Sequence, residues 1–134
     1  MKKLVLLLVA VSLFMASPIM AMHFTQSALY LNVCKELQKA METEKDYDSE
    51  KAPVCMGFVT GATKMHDDLA YLNKDVDNFA KFYCLPDGAN YEQIVSAWVK
   101  YLEDNPRELN LEPIITFNKA MKESFPCTES QPSK

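Results

Sequence analysis

Four cysteines, Cys34, Cys55, Cys84 and Cys127, are spread through a chain of 134 residues and constrain its fold more than any other feature. Their meaning depends on where the chain is delivered. Lys2 and Lys3 precede an uncharged, mostly apolar run from Leu4 to Ala16, with Pro18 and Ala21 after it. A basic start, ~13 apolar residues and a small residue at the cut make a secretory leader, cleaved after about Ala21. The run is shorter than the ~20 residues that cross a bilayer, so no membrane anchor is expected after cleavage. The leader has a bacterial character, which in a cell with two membranes implies that the mature chain is periplasmic. In an oxidising compartment an even number of cysteines reads as a disulfide framework. Zinc would call for close pairs of the C-x-x-C type, and the sequence has none.

Removing 21 of 134 residues leaves 113, enough for one domain. Without Lys2 and Lys3 the basic residues fall from 14 to 12 against 18 acidic ones, a net charge of −6. Nucleic-acid binding needs a basic face, so that class is disfavoured, as is electrostatic attachment to a membrane. An acidic surface would suit a basic protein partner.

The apolar residues recur at helical spacing. Tyr30, Val33, Cys34, Leu37, Ala40 and Met41 share one face of a first helix. Thr25 or Ser27 is placed to cap it. Periodicity stops in the acidic stretch Glu42–Lys51. Pro53 opens a second helix, where a missing N–H is tolerated. Its apolar stripe is Val54, Phe58, Gly61, Ala62, Met65, Leu69 and Leu72. Gly57 and Gly61, four apart, each cost ~1 kcal/mol of helix propensity, and close approach of another helix is the expected compensation.

A long connection, Asn73–Ala89, contains Phe79, Phe82 and Tyr83 and ends in the turn Pro86-Asp87-Gly88. Asn90 and Gln93 form a capping box for the third helix, whose stripe is Tyr91, Ile94, Val95, Trp98, Tyr101 and Leu102. Trp98 is mid-stripe and expected to be buried against the second and fourth helices. Asn105-Pro106 stops this helix. After the polar link Arg107–Asn110, Asn110 is placed to cap a fourth helix with Leu111, Ile114, Ile115, Met121 and Phe125 on its apolar face. Pro126 ends it, and the tail 128–134 is expected to fray. The whole reads as one all-α domain over residues 22–127, a compact four- to five-helix bundle stapled by two disulfides. Four cysteines allow three connectivities, and spacing alone does not choose. In an antiparallel hairpin of the third and fourth helices, however, Cys84 and Cys127 meet at the open end. That leaves Cys34 and Cys55 to join the first helix to the second.

Chemistry is sparse. His23 and His66 are the two histidines, and a Cys–His nucleophile pair would need a thiol that the disulfides consume. No nucleophile elbow, H-E-x-x-H or phosphate-cradling loop occurs. His66-Asp67-Asp68 are consecutive on a helix and point apart, so they read as a solvated face. Asp46, Asp48 and Glu50 alternate but lack the glycine and terminal glutamate of a calcium loop. No catalytic residue, metal or cofactor is implied.

Several landmarks together resemble the Rap/Tai immunity proteins of bacterial type VI secretion systems. They are a cysteine in the first helix, Cys55-Met-Gly-Phe-Val-Thr-Gly61-Ala62, Tyr83-Cys84-Leu85-Pro86-Asp87-Gly88, the run from Gln93 through Trp98 to Pro106, and Phe125-Pro126-Cys127. They span nearly all of the mature chain; the acidic connection between Cys34 and Cys55 is longer than the usual pattern. The resemblance implies an all-α periplasmic protein, often a homodimer, that binds a peptidoglycan amidase effector and occludes its cleft. An occluding inhibitor needs a protruding, rigid element. The Asp104–Asn110 link, with Asp104, Asn105, Arg107 and Glu108 as partner contacts, is the leading candidate, and the Asn73–Asp87 connection is the other. The alternative is a periplasmic helical structural or chaperone-like protein.

Overall fold

A computed structural model describes residues 26–43, 45–76 and 81–127. The expected leader over residues 1–21, His23, Thr25, Phe79 and residues 128–134 lie outside the described residues. The described residues form four helices: α1 (Ser27–Thr43), α2 (Ala52–Leu72), α3 (Tyr91–Asp104) and α4 (Pro113–Ser124), with a 3-10 turn at Pro106–Glu108 between the last two. Among the described residues there is no strand. Helix α1 packs on both α2 and α3, and α3 packs on α4.

Both disulfides form with the expected pairing, Cys34–Cys55 and Cys84–Cys127. The core is built on Trp98, which has no exposed surface. Its ring stacks on Phe58 of α2 at 4.9 Å, meets Phe117 of α4 edge-on at 5.3 Å and lies 5.6 Å from Tyr30 of α1. One indole thus touches every other helix. Its Nε1–H donates to the Thr116 hydroxyl at 3.2 Å, so the buried polar atom is satisfied. At the head of α3 the capping box is complete. The Asn90 side chain accepts from the Gln93 N–H at 2.8 Å, and the Gln93 side chain accepts from the Asn90 N–H at 3.0 Å. Gly88 takes φ +87° in the turn before it, a conformation L side chains resist.

Helix α2 departs from expectation. Its buried residues are Ala52, Cys55, Val59 and Ala62, with Phe58 half-buried, whereas Val54, Met65, Leu69 and Leu72 of the expected stripe are exposed. The cause is covalent. Cys55 is tied to the fully buried Cys34, and this sets the helix's rotation. The Cys55–Val59–Ala62 line faces inward, and residues about 100° round the helix from it face out. Among the described residues no helix approaches the glycines: a Cβ built on Gly57 or on Gly61 would meet no atom within 4 Å.

Helix α4 is also shifted. It starts at Pro113 with Glu112 as its N-cap, not at Asn110. Pro113, Thr116, Phe117, Ala120 and Met121 are buried, while Ile115 is 43% exposed. Ser27 does not cap α1. It is buried, and its hydroxyl donates to the Leu111 carbonyl at 2.9 Å and lies 2.8 Å from the Thr116 hydroxyl. The acidic connection is ordered by its own backbone: Asp48 accepts from the N–H groups of Glu50 and Lys51, and Glu36 accepts from the Asp48 N–H.

Candidate partner-binding site

The link between α3 and α4 is held in place from three sides. The 3-10 turn begins at Pro106, whose ring fixes φ. Asn105 turns back on α3, its side-chain amide donating to the Tyr101 carbonyl at 2.9 Å. The start of α1 is sewn to the far side of the link. Ala28 N–H donates to the Leu109 carbonyl at 2.9 Å, and Ser27 N–H to the Leu111 carbonyl at 3.0 Å.

Glu108 is the bracket inside this turn. One carboxylate oxygen accepts from Lys119 of α4 at 2.7 Å and the other from the Tyr101 hydroxyl of α3 at 2.8 Å. These two donors, Lys119 foremost, hold its carboxyl below the ordinary value of 4.5. The Tyr101 hydroxyl is pushed up to about 12, first by burial and then by its donation to Glu108. Because the folded carboxyl is depressed, its contribution is present above the ordinary unfolded value and is lost as pH falls through the folded one. A carbon-detected NMR titration of Glu108 should therefore give a midpoint below 4.5, and Lys119→Ala should move it up. An unmoved midpoint would show that the bracket is not formed in solution.

The four residues expected to contact a partner are brought to one end of the bundle, but their roles differ. Glu108 and Asn105 spend their polar groups holding the link. Asp104 is exposed and pairs with Lys100 one turn earlier at 2.7 Å. Arg107 is exposed, and among the described residues no ion pair engages it. The exposed, outward set is Asp104, Pro106, Arg107 and Asn110. Ser27 anchors the link from 84 residues away, a contact that no local sequence pattern signals.

In the Asn73–Asp87 connection, the described residues on either side of 77–80 are covered unevenly. Tyr83 is fully buried, its ring stacked on His66 at 3.8 Å, while Phe82 is 58% exposed. The Tyr83 hydroxyl is pushed up by burial and by the nearby Asp67. Among the described residues, no three His, Cys, Asp or Glu side chains gather in a metal-binding group, and no helix is long and apolar enough to cross a membrane.

No curated protein and no solved structure matches the chain. The family profile of the Rap1a immunity proteins matches residues 25–127. The match runs from just before α1 to the last cysteine, over both disulfides and all four helices. The chain belongs to the Rap1a immunity protein family.

Proposed function

We propose that this chain is an exported immunity protein that binds a secreted effector and blocks it by occlusion. The observation that carries the reading is the family match over residues 25–127. The braced link supports it, because a rigid protrusion loses little freedom when it enters a cleft. In the finer form of the proposal, the leader over residues 1–21 delivers the chain to the periplasm. There it meets a peptidoglycan amidase effector of a type VI secretion system, and the inhibitor itself catalyses nothing. The partner contacts are Asp104, Asn105, Arg107 and Glu108, with Asp104 and Arg107 reaching outward and the other two shaping the turn. Two copies pair in the active inhibitor.

The test is co-expression of the exported chain with its cognate amidase directed to the periplasm, scored by lysis. Wild type should protect. Asp104→Ala combined with Arg107→Ala should abolish protection, while circular dichroism shows an unchanged helix content. These two residues are chosen because replacing Glu108 would also release the turn. Full protection by the double variant would remove the link from the contact surface.

A further inference from the structure

The two disulfides differ in what surrounds them. Cys34 and Cys55 have no exposed surface and lie in the core between α1 and α2. Cys84 is half-buried and its partner Cys127 is exposed, at the open end of the α3–α4 hairpin. A thiolate attacks a disulfide only where a sulfur is open to approach, so the folded chain presents one bridge and hides the other.

The open bridge adjoins a contact with two unpaired polar atoms. Tyr83, the residue before Cys84, is fully buried with its ring stacked on His66 at 3.8 Å. Nδ1 of His66 lies 3.3 Å from the Asp67 carboxylate and donates to it, which leaves Nε2 a bare acceptor. Among the described residues, neither that Nε2 nor the Tyr83 hydroxyl has a hydrogen-bond partner, and both are buried. Water would satisfy both if the rings parted. Burial of the ring opposes parting, and so does the anchoring of the next residue. Cys84 is held beside the end of α4 by its bridge and by its N–H, which donates to the Phe125 carbonyl at 2.9 Å.

We propose that Cys84–Cys127 is a thiol-exchange site, which a dithiol reductant opens in the folded chain, releasing Tyr83 from His66. A thiolate of the reductant attacks the exposed Cys127 sulfur. The Cys84–Cys127 bond breaks, Cys84 leaves as a thiolate and takes up a proton, and a mixed disulfide joins Cys127 to the reductant. The reductant's second thiol loses its proton and attacks its own partner sulfur in that mixed disulfide. Cys127 leaves as a thiolate that is then protonated, and the reductant departs as a disulfide, two electrons having passed to the cysteine pair. The buried Cys34–Cys55 bridge stays closed, so the core around Trp98 persists. The link between α3 and α4, braced by Ser27 and Lys119, shares none of the broken contacts. Reduction thus loosens one end of the bundle and leaves the other formed.

Reduction of the purified, folded chain without residues 1–21 by dithiothreitol, then alkylation with iodoacetamide and peptide mapping, tests the exchange. Cys84 and Cys127 should be labelled at least about tenfold faster than Cys34 and Cys55, with far-UV circular dichroism unchanged. Diethyl pyrocarbonate, which acylates an accessible imidazole nitrogen, reads the release. His66 should react at least about tenfold faster once the bridge is open. Cys84→Ser combined with Cys127→Ser should show the same fast reaction with no reductant present, which separates release of Tyr83 from any effect of the label. Equal labelling of all four cysteines, or loss of helix content as Cys84–Cys127 opens, would overturn the proposal. So would a His66 that reacts at the same rate in the bridged and the opened chain.

Discussion

Trp98→Ala should lower the free energy of unfolding by ~3–5 kcal/mol, the range for deleting a large aromatic side chain from a packed core. Two effects add. The indole fills the space between Phe58, Phe117 and Tyr30, so its loss opens a cavity shared by four helices. The second effect is polar. Thr116 is fully buried, and it receives the indole N–H while contacting Ser27 and the Pro113 carbonyl. Removing the indole takes one member from a buried network that ties α1, α3 and α4. Trp98→Phe should recover most of the packing and none of that bond, leaving a deficit of ~1–2 kcal/mol. Since Trp98 is the only tryptophan, urea unfolding should be followed by far-UV circular dichroism. A loss under ~1 kcal/mol for Trp98→Ala would mean that the indole is not in the core.

Replacing Cys84 and Cys127 together by Ala should cost ~4 kcal/mol, chiefly by freeing the unfolded chain, because the bridge spans 43 residues. Cys127 is exposed, so little packing is lost with it, and helix content should be retained at low temperature. The pair Cys34 and Cys55 closes only 21 residues, for which the same relation gives ~3 kcal/mol. Both of those sulfurs are fully buried, and their removal adds a cavity and releases the rotation of α2. The shorter bridge should therefore cost at least as much as the longer one. Urea midpoints of the two double variants decide this. If the Cys34–Cys55 variant were clearly the more stable, the packing role assigned to that bridge would be wrong.

Helix α3 is the most legible element, because local signals agree: a capping box, a six-residue apolar stripe and a terminating Asn-Pro; only the buried Val99 falls outside that stripe. The pairing of the cysteines followed from hairpin geometry. The face of α2 did not, because its apolar residues form two overlapping lines and a covalent bond decides which one turns inward. Small residues won: Ala52, Cys55, Val59 and Ala62 let α1 come close, and the larger Met65 and Leu72 were left outside. In α4 the buried Thr116 broke the apolar pattern and shifted the expected face, so Phe117 was overlooked. Pro113 marked the true start, as the residue favoured at the first helical position. The candidate site was half legible. Chain position and Pro106 picked out the link. Its bracing by Ser27 and Lys119 depends on contacts across 84 and 11 residues, which no local pattern records.

The central claim is that the chain acts by holding an effector through the braced end of the bundle. Its most direct test is titration of the purified chain, without residues 1–21, into the amidase effector proposed as its partner, reading both heat of binding and hydrolysis of peptidoglycan. The account predicts a tight complex and loss of hydrolysis in step with occupancy, both removed by Asp104→Ala with Arg107→Ala. Binding that leaves hydrolysis intact, or no binding to the amidase at all, would contradict it.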